Sequence, residues 1–400
     1  MSLKEPVSRR QFLIGFALAG TGVGLTSLWN RSGVSRILGA NDRIRAAVIG
    51  LGLNGSRQLG EYLRLPGVEI AALCDIDEHR LLQSAQMVSK RGQPPPITTR
   101  DFRRILDSQE IDAISIATPA RLHGGIAIAA CEAGKDVYVE KPCSTNFSEG
   151  KRLVAAAEKY GRIVQQRMGT NFAVSHDSLP LLTSPTLSEV QRVSGAKVIY
   201  GTDLEAARDV PANGYISQSH YQLIADAFDE WDFARAMLEV GLPTQVSAVS
   251  LDGPRRNGWR KVGIQMLFNS PGKDQRALDF QLETRPNASN HAHSNGSDGP
   301  PLYFESFNRF ITHKGDFMVT SDSRSSDHQI QSDLINFLSR VRDRRQHLSN
   351  FPIAEAQTSC ALVQLAQLSL NHRRTLAFDP ESERVVGDDE MNAGLALDPQ

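Results

Sequence analysis

Residues 46–55, AAVIGLGLNG, contain the features that decide the fold of this chain. A short apolar run ends at Gly50, and Gly52 and Gly55 complete the spacing G-x-G-x-x-G. Glycines at this spacing let the backbone turn tightly after a strand and approach a diphosphate, which the amino terminus of the next helix attracts. The stretch therefore predicts a buried strand, a dinucleotide-binding turn and a helix.

The next strand-like run, VEIAALCD, ends at Asp75, which lies 20 residues after Gly55. A carboxylate at this position accepts hydrogen bonds from the hydroxyl groups of the adenosine ribose, and it repels a 2′-phosphate. The predicted cofactor is therefore NAD, with NADP as the alternative. The residues predicted to bind it in and after the turn are Gly50, Gly52, Leu53, Asn54, Gly55 and Asp75.

Apolar strand-like runs alternate with helical patterns up to residue 167, which predicts a doubly wound parallel sheet. From residue 168 the strand-like runs are longer and only turns separate them, so a second α/β domain with a large, mainly antiparallel sheet is predicted. The run FITHKGDFMVTS indicates a hairpin around Lys314 and Gly315. The predicted organisation is a signal and linker at 1–40, a dinucleotide-binding domain at 41–167, a substrate and oligomerisation domain with terminal helices at 168–374, and a tail at 375–400.

The amino-terminal segment has the pattern of an export signal. Residues 8–13, SRRQFL, precede an apolar run that reaches Trp29, and they resemble the twin-arginine signal, which sends folded proteins across the bacterial inner membrane. Several glycines and threonines lower the hydrophobicity of this run, which favours a secretory signal over a membrane span. We therefore predict export to the periplasm with the export machinery as a partner; a retained N-terminal anchor is the alternative.

Composition argues against several other classes of function. The 400 residues are 40% hydrophobic and 22% charged, and a formal net charge of −1 gives no field that would gather nucleic acid. The four cysteines are scattered without a C-x-x-C pair, which is typical of packed thiols. His291 and His293 lie in a polar loop without an acidic or cysteine partner, so no metal site is predicted.

A second informative stretch is DVYVEKPCS, residues 136–144, which places two charges at the end of an apolar strand. Burying Glu140 or Lys141 without a partner is unfavourable. The two side chains are therefore expected to pair with each other or to face a bound molecule, and Pro142 ends the strand.

Taken together, these motifs resemble the Gfo/Idh/MocA oxidoreductase family. The resemblance is carried by AAVIGLGLNG, VEIAALCDID, ISIATPARLHGGIAIAACEAGKDVYVEKPCSTN and GRIVQQ, within about residues 43–167. Between about residues 170 and 320 the similarity is one of architecture. The resemblance implies a dinucleotide-binding domain followed by a mainly antiparallel sheet, which forms the substrate wall and often the interface of a homo-oligomer.

The resemblance also implies roles for individual residues. Lys141 would stabilise the negative charge that develops on a substrate oxygen when hydride leaves the adjacent carbon. Glu140 would orient that ammonium group or a ribose hydroxyl. The residues that match the family's E-K-P motif and its segment beside the nicotinamide are Glu140, Lys141, Pro142, Thr118, Pro119 and His123.

The sequence leaves the proton acceptor open. The family usually carries H-x-x-D before a G-x-P turn, and counting back from residues 241–243 places Asp232 on the family's aspartate and Asp229 where histidine is expected. Three interpretations remain. Asp229 acts as the base, His220 reaches the site instead, or no dedicated base exists.

Three functions are consistent with these observations. The leading hypothesis is an exported oxidoreductase that transfers hydride between tightly bound NAD(P) and a sugar, polyol or related hydroxyl compound. The second is a glycoside hydrolase that oxidises its sugar transiently with NAD. The third is a non-catalytic dinucleotide-binding protein, which the departure at Asp229 favours.

Overall fold

The computed structural model describes residues 43–167, 172–173, 190–200, 228–238, 240–251, 260–269, 275–285, 303–312, 315–322, 327–344 and 353–396. The predicted export signal, His220 and the loop with two histidines lie outside these residues. Within the part of the chain that is described, no helix is both long and apolar enough to cross a membrane.

Six parallel strands form the first sheet, in the order β3-β2-β1-β4-β5-β6. The chain order reverses between β1 and β4, and the crevice outside the carboxyl ends of strands at such a switch point is where doubly wound sheets bind ligands. The strands are β1 (Ile44–Ile49), β2 (Val68–Cys74), β3 (Ile97–Thr99), β4 (Ala113–Ile116), β5 (Asp136–Val139) and β6 (Val164–Gln166).

Helices cover both faces of this sheet, which explains why its central strands are buried at almost every position. Side-chain caps begin two of the helices: Asp77 accepts the backbone N–H of His79 at 2.9 Å, and Asn146 accepts that of Glu149 at 2.6 Å. The helices are α1 (Leu53–Tyr62), α2 (Glu78–Lys90), α3 (Arg103–Asp107), α4 (His123–Glu132) and α5 (Phe147–Lys159).

Nine strands form the second sheet, in the order β15-β14-β9-β10-β11-β8-β12-β13-β7. Every described pair is antiparallel except β8 with β11. The strands are β7 (Phe172–Ala173), β8 (Arg192–Tyr200), β9 (Gln245–Ser250), β10 (Arg260–Phe268), β11 (Arg276–Arg285), β12 (Tyr303–Thr312), β13 (Gly315–Asp322), β14 (Leu376–Asp379) and β15 (Arg384–Val385).

This architecture confirms the predicted fold class, a parallel doubly wound sheet followed by a large, mainly antiparallel one. The predicted hairpin is also confirmed, since β12 and β13 pair with Thr312 opposite Gly315. All four cysteines are buried and free, as the scattered spacing predicted.

Four further helices complete the described part of the fold: α6 (Phe228–Leu238), α7 (Asp327–Asp343), α8 (Ile353–His372) and α9 (Asp389–Ala396). α8 is buried around its circumference because it contacts β9 of the second sheet on one side and α5 and β6 of the first domain on the other. α7 covers the opposite face of the first sheet, where Phe337 packs against Tyr138.

The segment predicted as a tail from residue 375 is folded instead. β14 pairs with β9 and so belongs to the second sheet, while α9 packs against α5. The two apolar side chains Leu376 and Phe378 are buried where β14 joins the sheet, which is the physical reason that this strand is part of the second domain.

Candidate dinucleotide and catalytic site

The glycine turn between β1 and α1 is held tightly against the end of β4. Gly50 has a φ of +89°, and a Cβ there would lie 2.6 Å from the carbonyl carbon of Ala117. A Cβ on Gly55 would lie 1.8 Å from the carbonyl oxygen of Gly50, so helix α1 can approach the turn only without a side chain. Gly52 differs, because the nearest atom to a Cβ there is a guanidinium nitrogen of Arg80 at 3.7 Å. The turn is therefore tightly packed at Gly50 and Gly55 and open at Gly52.

Asp75 follows β2 and faces this turn. Its two carboxylate oxygens accept the backbone N–H groups of Leu51 at 2.6 Å and of Asp77 at 2.9 Å. Each oxygen keeps a second lone pair with which it can accept a hydroxyl group. Leu53 and Ile76, the neighbours of the turn and of Asp75 in sequence, are 72% and 79% exposed apolar side chains. Asn54 is also exposed, in the first turn of α1.

Thr118, Pro119 and His123 lie at the carboxyl end of β4. His123 is buried, and its two ring nitrogens lie 2.7 Å from the carbonyl oxygen of Thr118 and 2.8 Å from that of Pro142. The imidazole therefore ties the loop after β4 to the loop after β5. The Thr118 hydroxyl is buried without a hydrogen-bond partner among the described residues.

Glu140 is buried inside the protein, with 3% of its surface exposed. Its Oε1 accepts a hydrogen bond from Gln58 Nε2 at 2.7 Å and one from Arg167 Nη1 at 3.1 Å, and its Oε2 accepts the backbone N–H of Lys141 at 3.3 Å. The carboxylate thus faces Gln58 and Arg167 below the loop. Lys141 is half-buried, and its peptide bond to Pro142 is cis.

Sequence reasoning missed Arg167 and Gln58. Arg167 follows β6, next to β5 in the sheet, and its backbone N–H donates to the carbonyl of Val139 at 2.7 Å. Arg167 comes directly after β6, the strand that pairs with β5. Its positive charge at that position was a sequence signal that Glu140 has a charged partner. The sequence offers no comparable signal for Gln58, because α1 brings its side chain across the sheet.

Asp232 on α6 is buried, and its carboxylate accepts a hydrogen bond from the hydroxyl of Ser359 on α8. The next residue of α8, Cys360, has its sulfur 3.7 Å from that of Cys143, two residues after Lys141. Two consecutive residues of α8 therefore make these contacts: Ser359 binds the predicted catalytic Asp232, and Cys360 contacts the loop that contains Lys141.

The two residues that the sequence offers as the base are not both described. The backbone of Asp229 lies in α6, and neither its side chain nor His220 is among the described parts of the chain. The three interpretations of the proton acceptor therefore stay predictions.

Cys143 does not provide a nucleophile beside Lys141. The hydrogen bond with Cys360 and then burial raise the pKa of the Cys143 thiol well above its usual range. Gln166 Oε1 accepts the backbone N–H of Cys143 at 2.6 Å and the thiol of Cys360 at 3.4 Å. The thiol is thus a neutral packing group that attaches the loop to α8.

The residues present fit a bound dinucleotide. The turn at Gly50 and Gly55 is a cradle that a Cβ would fill, Asp75 keeps acceptor capacity, and the Thr118 hydroxyl is a buried donor without a partner among the described residues. A glycine turn, a carboxylate after β2 and a lysine after β5, all at the carboxyl edge of one parallel sheet, are the arrangement of a dinucleotide-binding domain.

Comparison with known proteins agrees with this class. Residues 44–168 match the model of the Gfo/Idh/MocA family, described as an oxidoreductase family with an NAD-binding Rossmann fold. The N-terminal domain of this chain is therefore similar to this family and has its NAD-binding fold.

Curated relatives match part of the chain. The chain is 32% identical over 178 residues to a glycosyl hydrolase family 109 protein of Saccharopolyspora erythraea, a match that covers 40% of this chain and 39% of the relative. It is 37% identical over 119 residues to an α-N-acetylgalactosaminidase of Bacteroides fragilis, covering 29% and 28% of the two chains. The chain thus spans less than half the length of the curated relatives it matches.

Solved structures match over both domains. The myo-inositol 2-dehydrogenase of Lactobacillus plantarum superposes with a TM-score of 0.62 and 16% identity, covering 84% of this chain and all of that one. The scyllo-inositol dehydrogenase of Lactobacillus casei, solved with NAD(H) and scyllo-inositol, gives 0.62 and 12%, covering 84% and 98%. At these identities the similarity establishes the fold.

Proposed function

We propose that this protein transfers hydride between NAD and a carbon that bears a hydroxyl group in a sugar or polyol. The observation that carries the proposal is that the glycine turn, Asp75 and Lys141 all lie at the carboxyl edge of one parallel sheet. NAD supplies the nicotinamide ring that accepts or returns the hydride.

The residues of this chain bind the cofactor and stabilise the charge that develops on the substrate. The turn at Gly50 leaves its backbone open to a diphosphate, and Asp75 accepts the ribose hydroxyls. Lys141 stabilises the oxyanion that develops on the substrate, and this interaction is far stronger in a partly buried site than in bulk water. His123 holds the Lys141–Pro142 loop against the loop after β4.

The proton of the hydroxyl group needs an acceptor, for which Asp229, His220 and the absence of a dedicated base remain the three alternatives. Asp232, at the position of the family's aspartate, accepts a hydrogen bond from Ser359 of α8. The next residue of α8, Cys360, contacts Cys143 of the Lys141 loop. A variant series at these three positions assigns the step by the change in kcat and in its pH dependence.

The substrate class is supported by the proteins that share the fold. The two solved structures above are named as inositol dehydrogenases, which favours a polyol or sugar. We further propose export through the twin-arginine pathway and a homo-oligomer; detection of the protein in a periplasmic fraction and its mass in solution test these two points.

A second candidate is a glycoside hydrolase that oxidises its sugar transiently and then returns the hydride. The names of the relatives from Saccharopolyspora erythraea and Bacteroides fragilis favour it. The two functions differ in their products, since a dehydrogenase accumulates NADH whereas this hydrolase releases an aglycone without net NADH.

The test begins with nucleotide extraction from the purified protein, followed by turnover with inositols, aldoses and nitrophenyl α-N-acetylgalactosaminide. We expect NAD(H) to be bound and Lys141→Ala to lower turnover by about 10²–10³-fold with little change in NADH affinity. Lys159→Ala, an exposed lysine on α5, is the matched control. A protein that binds no NAD(H), or a Lys141→Ala variant as active as the wild type, contradicts the proposal.

A further inference from the structure

A buried chain of hydrogen bonds connects the dinucleotide-binding helix to the loop of Lys141. The hydroxyl of Ser115 on β4 donates to Gln58 Oε1 at 2.5 Å, and Gln58 Nε2 donates to Glu140 Oε1 at 2.7 Å. Ser115 and Gln58 have no exposed surface. Because the serine occupies the amide oxygen, the orientation of the Gln58 amide is fixed with its NH₂ group toward Glu140.

Glu140 is fixed from the other side as well. Its backbone N–H donates to the carbonyl of Ile116 at 2.9 Å, which continues the pairing of β4 with β5. Arg167 reaches both of its carboxylate oxygens, at 3.1 and 3.4 Å, with only 11% of the arginine side chain exposed. Main chain and side chain of Glu140 are therefore both held in place.

The held carboxylate acts on the next residue. Glu140 Oε2 accepts the backbone N–H of Lys141 at 3.3 Å, so the direction in which the chain leaves β5 depends on where that oxygen lies. Gln58 lies one turn along α1 from Gly55, in the middle of the helix that begins at the diphosphate turn. The side-chain amide of Gln58 thus links α1 to Glu140, and through Glu140 to Lys141.

We propose that Gln58 and Arg167 are positioning residues that hold Lys141 through Glu140 and so couple the dinucleotide-binding helix to the catalytic loop. The part concerning catalysis rests on the proposed function, whereas the part concerning the placement of Lys141 does not. Gln58 fixes the direction of the carboxylate, and Arg167 balances its buried charge.

The surroundings of the pair include other ionisable groups. Tyr138 lies on β5, two residues before Glu140. Burial, and after it the negative charge of Asp333 on α7, raises the pKa of the Tyr138 hydroxyl group well above the usual range. Arg167 is the cation that opposes this effect, and Tyr62 of α1 lies nearby. Both tyrosines are uncharged, so the negative charge of Glu140 is offset by Arg167.

The decisive experiment compares two buried glutamines. Gln58→Met keeps the volume of the side chain and removes the amide, and Gln165→Met does the same at a buried glutamine that bonds to Arg340 and the backbone of Asp333. Acylation of Lys141 by acetic anhydride is followed by peptide mass spectrometry, with Lys159 as the internal reference. NADH affinity and turnover are measured on the same preparations.

We expect the relative acylation rate of Lys141 to change in Gln58→Met by about threefold or more and to stay unchanged in Gln165→Met. Turnover should fall about 10-fold in Gln58→Met because a small displacement of a catalytic group is sufficient for such a loss. KM and NADH affinity should stay close to wild type. Where Gln58→Met does not fold, Ser115→Ala removes the contact that fixes the amide and should give the same direction of change.

Arg167→Met and Arg167→Lys separate charge from packing. Arg167→Met removes the cation that faces the buried carboxylate of Glu140, so the acylation rate of Lys141 should change and turnover should fall as in Gln58→Met. Arg167→Lys keeps the charge and should restore both.

Equal Lys141 acylation in wild type and Gln58→Met, with equal thermal destabilisation of both glutamine variants, overturns the proposal and leaves Gln58 a structural residue. The acylation and NADH measurements need no substrate. Absence of turnover on every compound would therefore contradict the proposed function while the placement of Lys141 is still decided.

Discussion

The two sheets of this protein bury their strands differently. In the first sheet, β4, β5 and β6 are buried at every position because helices cover both faces. In the second, burial alternates along β9 and β10, and the outward-facing Val249 is 47% exposed. A sheet buried on both faces offers polar groups access only at its edge, whereas the second sheet buries one face and leaves the other open.

This difference explains where sequence motifs occur. At the carboxyl edge of the first sheet, main chain must approach a ligand closely, and only certain residues allow that, such as Gly50 and Gly55. The buried face of the second sheet needs apolar side chains of suitable volume, a requirement that many sequences meet. The first domain is therefore recognisable by motif and the second by architecture. Four sets of variants test this contrast.

The largest effect is expected from Gly55→Ala. Its Cβ would lie 1.8 Å from the carbonyl oxygen of Gly50, so the turn has to move, with a loss of more than about 4 kcal/mol in unfolding free energy and of NADH binding. Gly60→Ala on the same helix is the control, because a Cβ there has nothing within 4 Å; it should stabilise the protein by about 0.5–1 kcal/mol. Denaturant titration and NADH fluorescence measure both. Equal behaviour of the two variants would remove the special status of the turn.

The stability of the second domain should depend on the volume of the apolar side chains packed against its sheet. Trp231 on α6 is fully buried and packs edge-on against Phe280 of β11, with ring centroids 6.3 Å apart. Trp231→Ala should destabilise the protein by about 3–5 kcal/mol. Trp231→Phe should lose much less, because the indole N–H has no hydrogen-bond partner among the described residues. Equilibrium unfolding measures both, and equal losses would show that the apolar volume at this position is not what matters.

A pair of aspartates separates ligand binding from helix capping. Asp75→Ala should weaken NAD binding by about 10–100-fold and reduce the preference for NAD over NADP, since a charged acceptor is removed. Asp77→Ala removes the cap of α2 and should lower stability by about 1 kcal/mol while affinity for NAD stays the same. Titration calorimetry with both nucleotides decides the case; unchanged selectivity in Asp75→Ala would contradict the assigned role.

The smallest effect concerns the turn between β14 and β15. The hydroxyl of Ser382 and the backbone N–H of Glu381 donate to Asp379 and lower the pKa of its carboxyl group below the ordinary value of 3.8. This contribution to stability is present above the unfolded pKa and is lost as the pH falls through the folded one. Asp379→Asn should therefore reduce Tm at neutral pH, and its difference from the wild type should shrink as the pH falls below the ordinary carboxyl pKa. A difference that persists in acid would show that charge is not its cause.

The sequence by itself determined the parallel sheet, the glycine turn, Asp75, the lysine after β5 and NAD as the cofactor. These features depend on residues close together in the chain, where backbone geometry restricts which amino acids fit. Only the tertiary structure decided that Glu140 pairs with Arg167 and Gln58, that α8 lies between the two sheets, and that β14 belongs to the second sheet.

The reason is the distance along the chain over which these contacts form. Gln58 and Glu140 are 82 residues apart, Asp232 and Ser359 are 127 apart, and Cys143 and Cys360 are 217 apart. A polar residue inside an apolar pattern indicates that a partner is needed but not which one. The packing of α1 and α8 selects the partner, because it decides which side chains meet once both sheets are formed.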